Sequence, residues 1–252
     1  MSIKSSIQDG IATLEIARPE KKNALTAAMY QSLTDALLAA QADPSVRAIL
    51  LIGQPNIFTA GNDLEDFMQR PSEGPEAPVF RFMQALTGCE LPVIAAVTGA
   101  AIGIGTTLLL HCDLVYLSED ARLQMPFVNL GLVPEFASSL LLPQRLGAAK
   151  ANEKLLLGDP ITPTEAVNAG IANAVLPVAQ VIPHARQVAA RFAALPKGAV
   201  RHSKQLLSAP QAKQVAETIE RERVIFEQRL KSPEAKEAFA AFFERRKPNF
   251  NG

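Results

Sequence analysis

The chain of 252 residues has no tryptophan, only two tyrosines and three histidines, and its 25 basic residues are matched by 25 acidic ones. A net charge of zero supplies no overall pull toward nucleic acid or an anionic membrane surface, and neither is expected as a partner. Cys89 and Cys112 are too few and too far apart for a zinc framework or a disulfide scaffold. No metal is expected, both thiols read as buried small hydrophobes, and such sparing use of cysteine fits a reducing, cytoplasmic setting. The opening stretch MSIKSSIQDGIATLEI lacks a basic region followed by a long apolar run, so no secretory signal is expected. The closing KPNFNG carries no retention or peroxisomal address. Long hydrophobic runs are missing too: LPVIAAVTGAAIGIGTTLLLHC is broken by glycine and threonine and leads into Asp113, which argues against a membrane span.

What is present is a chain long enough to bury ~70 to 75% of its unfolded surface without staples. Alternation around Asp9-Gly10 predicts a hairpin. Thr26 is placed to cap a helix carrying Met29, Leu33, Leu37 and Leu38, and RAILLIG (47–53) predicts a buried strand. A helix near 76–88, the strand PVIAAVTG, a short helix from Ile104 to His111 and the strand DLVYLS continue an alternating α/β pattern. Beyond about residue 150 strand-like runs nearly vanish and the segments read as helices. The expected division is a core at 1–195 and a helical tail at 196–252. In the tail, Val215, Ile219, Val224, Ile225, Phe226 and Leu230, then Phe239, Phe242 and Phe243, form an apolar face that must meet either the core or a partner chain. No repeat of fixed period is visible.

Several motifs fail on spacing. Gly99, Gly103 and Gly105 run as G-x-x-x-G-x-G, whereas a dinucleotide fingerprint needs G-x-G-x-x-G, and the P-loop lysine is absent. Ser138-Ser139 lacks the flanking glycines of a nucleophile elbow, and His111, His184 and His202 follow no motif, so they read as ordinary core or surface residues. Gly61 and Gly103 are more informative, each standing at a turn into a helix start whose free amides could bind an oxyanion. Each also reads as a plain tight connection.

Glu135 is the only charged residue from Leu123 to Gln144 in a chain one-fifth charged. After Pro134 it reads either as a solvated glutamate in a first helical turn or as a desolvated proton carrier with a raised pKa.

These features occur together, in order, through RPEKKNALT, FTAGNDL, GAAIGIGTTLLLHCDLVYLSED, MPFVNLGLVPEFASSLLLPQRLG and EAVNAGIANAVLP to the tail. The combination resembles the enoyl-CoA hydratase/isomerase, or crotonase, superfamily over nearly the whole chain. The resemblance implies a crotonase-like spiral of strand-strand-helix units, with a C-terminal helical tail that helps form trimers or hexamers. It implies an acyl-CoA ligand, coenzyme A entering as part of the substrate rather than as a separate cofactor. The backbone amides of Asn62 and Ile104 fall where the family places its oxyanion hole. Lys22, Ala24, Ala60, Asp63 and Leu64 match segments around the CoA moiety, and Phe67 and Phe127 fall along the acyl chain. Two preorganised amides stabilise an enolate oxygen by roughly 3 to 4 kcal/mol each, judged from hydrolase oxyanion holes. A tuned carboxylate base contributes on the order of 10² to 10⁴ in rate.

The resemblance also exposes a departure. Hydratases of this family use two glutamates, and this chain has Thr107 and Phe127 at those positions. GLVPEFASS resembles instead the single-glutamate arrangement of 3,2-enoyl-CoA isomerases, with Glu135 as the acid. The expected activity is isomerisation of a 3-enoyl-CoA to a 2-enoyl-CoA. Its rivals are hydration or another enolate reaction such as thioester hydrolysis, and, from a different class, a non-catalytic acyl-CoA-binding module.

Overall fold

A computed structural model describes residues 2–69 and 74–250. The chain opens with antiparallel β1 (Ile3–Gln8) and β2 (Ile11–Ile16), joined at the predicted Asp9-Gly10 turn. Helix α1 (Ala27–Ala42) starts at Thr26, whose side chain accepts a hydrogen bond from the Met29 amide at 3.4 Å. It buries Met29, Tyr30, Leu33 and Leu37. Leu38 is exposed, contrary to the expected stripe, because nine residues at 100° each place it opposite Met29.

From β3 (Ala48–Ile52) the chain repeats one pattern: a strand of the large sheet, a short strand of a second sheet, then helix. The first unit adds β4 (Ile57–Thr59), α2 (Leu64–Gln69) and α3 (Pro78–Thr87). The next contains β5 (Val93–Val97), β6 (Ala100–Ile102) and α4 (Ile104–Thr107), which runs on as a 3₁₀ turn to His111. The third contains β7 (Leu114–Ser118), β8 (Arg122–Gln124) and α5 (Ser138–Leu146). Helices α6 (Ala148–Leu156) and α7 (Pro163–Asn168) lead to β9 (Ala174–Leu176), α8 (Val178–Ala193), α9 (Lys197–Leu230) and α10 (Pro233–Glu244).

The large sheet runs β1-β2-β3-β5-β7-β9, parallel except at its first pair, and the small sheet runs β4-β6-β8, all parallel. Strands β3 and β5 are buried along their whole length, which accounts for their unbroken apolar runs. The core between sheets and helices includes Leu14, Leu37, Phe58, Phe82, Met83 and Ile104, and Phe226 and Phe239 of the tail join it. The other side of the large sheet is covered by α8 through Val181, Ala185, Val188 and Ala189.

After residue 150 the three-residue β9 is the one strand among the described residues, in keeping with the near absence of strand-like runs there. The short strands β4, β6 and β8 form a second sheet that the local sequence pattern did not separate. On the tail, Phe226 and Phe239 meet the core, while Val224, Ile225, Phe242 and Phe243 are exposed on the single chain. Among the described residues no helix is long and apolar enough to cross a membrane.

Candidate active site

The small sheet delivers the two glycine turns to one place. Gly61 follows β4 with φ +88, and a Cβ there would sit 2.8 Å from the Ile102 carbonyl oxygen. Gly103 follows β6 with φ +57 and directly precedes α4. Only glycine takes both positions without strain, so the ends of β4 and β6 touch backbone to backbone. The amides of Ala60, Gly61 and Asp63 donate to Lys22 O, Thr59 Oγ1 and Leu25 O. The amides of Asn62 and Ile104 have no acceptor among the described residues, and Ile104 sits at the first position of α4, where donors are left over.

Both turns line a cavity of about 610 Å³. Lys22, Ala24, Ala60, Asn62, Asp63, Leu64, Phe67, Ile104 and Phe127 all lie on its wall, together with Phe226, Phe242 and Phe243 of the tail. The loop bearing Lys22 is tied down by buried Asn23, whose side chain donates to Ile57 O and Phe58 O and accepts the Arg18 amide. Nothing in the sequence pattern marked Asn23. Asp63 is committed to the fold: Arg18 Nη1 donates to Oδ2 at 2.6 Å and Oδ1 accepts the amides of Glu65 and Asp66. Burial pushes its carboxyl up, but Arg18 and those amides outweigh it and hold it below the usual carboxylate range.

Glu135 does not lie on that wall. It is 5% exposed, and Pro134 opens no helix there, so the solvated-cap reading fails. Helix α5 begins three residues later, after Phe136 (φ +57) and Ala137 (φ +56) take the left-handed conformation. Two such residues in succession without glycine are costly and must be held by their surroundings. Ser138 supplies one hold, its Oγ donating to Glu135 O at 2.7 Å. His111 supplies another: it stacks on the Phe136 ring at 4.0 Å, and its Nε2 is 2.7 Å from Phe136 O. Burial lowers the His111 pKa to about 4, so the ring is neutral and Nε2 carries the donated proton.

The backbone of Glu135 is thus fixed, while its Oε1 is buried with no hydrogen-bond partner. Burial first, and the nearby Glu222 carboxylate second, raise its pKa from 4.5 to about 8. Tyr30 lies close enough that Glu135 helps push its phenol pKa up, after burial, and it donates its proton to Asn62 Oδ1. Thr107 and Phe127 are both buried, and neither offers a carboxylate. Burial raises both cysteine thiols, which removes them as nucleophiles.

The enoyl-CoA hydratase/isomerase family model matches residues 6–252. The chain belongs to that family. A probable enoyl-CoA hydratase, echA8, from Mycobacterium leprae is 32% identical over 96% of this chain and 93% of its own length. Human enoyl-CoA delta isomerase 2 is 33% identical over 95% of this chain and 62% of its own. The solved structure of Pseudomonas aeruginosa OdaA is 51% identical with a TM-score of 0.95, covering 97% of this chain and 99% of that one. For an enoyl-CoA hydratase/isomerase family enzyme, the spiral is the expected scaffold. The family names include both reactions, so the choice between them rests on the carboxylates.

Proposed function

We propose that this family member acts on acyl-CoA thioesters and shifts a double bond from the 3,4 to the 2,3 position of an enoyl-CoA. The observation that carries the reading is the buried carboxyl of Glu135, with a pKa of about 8 and an oxygen without a partner among the described residues, whereas buried Asp63 and Glu222 are committed to hydrogen bonds and Thr107 and Phe127 supply no second acid. The amides of Asn62 and Ile104 would receive the thioester oxygen and stabilise the negative charge that develops there when the α proton leaves. Glu135 takes that proton and returns it to the γ carbon of the same dienolate. One carboxylate suffices because no water is activated.

Lys22, Ala24, Ala60 and Leu64 would meet the CoA portion, and Phe67 and Phe127 the acyl chain. Asp63 would contribute through its backbone and its hold on the loop, its carboxylate being occupied. Glu135 is not among the residues that line the cavity, so the proposed reaction requires the site to open to it when the acyl group binds. Coenzyme A enters as part of the substrate, and no separate cofactor takes part.

The rival reading is hydration, which the name of the Mycobacterium leprae relative favours. Side-by-side assays of a 3-enoyl-CoA and a 2-enoyl-CoA decide between them. Isomerisation is expected to be the faster reaction by at least ~10²-fold, the lower range of what one general acid–base group contributes. Hydration at a comparable rate would overturn the proposal, and acyl-CoA binding without turnover of either substrate would leave a binding module.

A further inference from the structure

Glu222 lies in α9, 87 residues after Glu135, and no motif in the sequence singles it out. It is 6% exposed and both of its oxygens are spoken for: Oε2 accepts the Ala137 amide at 2.6 Å and Oε1 the Ser139 amide at 3.0 Å. Ala137 is the second left-handed residue after Glu135, and Ser139 belongs to the first turn of α5. A carboxylate at that point meets the positive end of the helix and satisfies two donors that α5 cannot satisfy internally.

We propose that Glu222 is a positioning residue for Glu135, fastening the turn that fixes its backbone and setting a second buried carboxylate beside it. The proposal rests on the reading of Glu135 as the proton carrier. The turn is held from two sides, by His111 on the Phe136 carbonyl and by Glu222 on the amides beyond, so the tail is built into the catalytic machinery. The ionisable groups that bear on Glu135 are Tyr30 from α1 and Glu222 from α9; His111, from the 3₁₀ turn after α4, meets the neighbouring Phe136, and Arg221 of α9 acts on Glu222. Tyr30 and His111 are neutral. Burial raises the Glu222 carboxyl while Ser139, Ala137 and Arg221 draw it back. Among the described residues, Glu222 is therefore the carboxylate whose charge opposes ionisation of Glu135.

The test is titration of Glu135 in protein labelled with ¹³C-glutamate, its carboxyl signal being the one lost in Glu135→Gln. Substituting Glu222→Gln is expected to lower the Glu135 midpoint by about one pH unit or more, since removing a like charge eases ionisation. The inflection in the rate profile for a 3-enoyl-CoA should fall by the same amount. A merely structural role would lower the melting temperature and leave the midpoint in place, and that result overturns the proposal. Should Glu222→Gln fail to fold, the double variant Ala137→Gly, Glu222→Gln holds the left-handed turn with glycine and carries the same measurement. A midpoint that moves in a protein with no isomerase turnover would refute the proposed reaction and leave the coupling intact.

Discussion

Burying the Glu135 carboxyl ties its ionisation to the stability of the fold. Its folded pKa of about 8 lies above the ordinary 4.5, so the folded state holds the proton more tightly than the unfolded chain does. Stability from this group is fully present below about pH 4.5 and is lost as pH rises toward and through about 8. At roughly 1.4 kcal/mol for each pH unit separating the folded from the unfolded value, the loss can reach about 4 to 5 kcal/mol. Thermal melts between pH 5 and 9 should show the melting temperature falling, and Glu135→Gln should flatten most of that slope. Glu222, whose pKa is raised in the same direction, contributes to the slope that remains. A wild-type melting temperature independent of pH would mean that Glu135 is not desolvated as described. The same substitution tests chemistry, because the amide is nearly isosteric with the acid. Acyl-CoA affinity should persist while turnover of a 3-enoyl-CoA drops by at least ~10²-fold, and undiminished turnover would remove Glu135 from the mechanism.

At the scale of elements, the site depends on two strand ends that meet without side chains between them. Replacing Gly61 by alanine puts a methyl group 2.8 Å from the Ile102 carbonyl oxygen, on a residue whose φ of +88 already disfavours any side chain. The cost in stability should be on the order of 1 to 3 kcal/mol. Turnover should fall further than that cost explains, because the amides of Asn62 and Ile104 are driven apart; denaturant unfolding and kcat measured on one preparation separate the two effects. The same elements show what could be read in advance. Strands β3 and β5 were legible because burial on both faces leaves continuous apolar runs, and the hairpin because Asp9-Gly10 punctuates an alternation. Strands β4, β6 and β8 have three residues each, too few for a period to emerge. The strand-strand-helix repeat followed from the family resemblance and not from a fixed period, because its large-sheet strands begin at Ala48, Val93 and Leu114, at unequal intervals. Glu135 drew attention as the one charge in an apolar segment. His111, Asn23 and Glu222 did not, because what they do is bond to backbone atoms far away in sequence, which no local pattern records.

For the whole molecule, the tail divides into two parts with different surroundings. The second half of α9 joins the core through Phe226, with Val215, Ile219 and Leu230 packed against it, and α10 follows through Ala235 and Phe239. The first half is fastened by polar contacts, Lys204 to Asp113 and Leu91 O and Arg201 to Glu90, and leaves Leu206 76% and Leu207 83% exposed. Two adjacent leucines held in water on a pinned helix gain by being covered, and burial of each is worth roughly 1.5 to 3 kcal/mol. A homotrimer or hexamer is the assembly expected of this chain, with that stretch of α9 in the contact. Sedimentation at micromolar concentration should then give a trimer or hexamer, and Leu206→Glu with Leu207→Glu should shift it toward smaller species. Each glutamate would have to be desolvated at the contact, so the melting temperature of the variant should fall and depend on protein concentration. Because Glu222 and Phe226 lie in the other half of the same helix, isomerase turnover should survive dissociation if the site is complete within one chain. A wild-type protein that sediments as a single monomeric species would sink the assembly, and a dissociated variant that loses turnover while keeping its fold would show that a neighbouring chain completes the site.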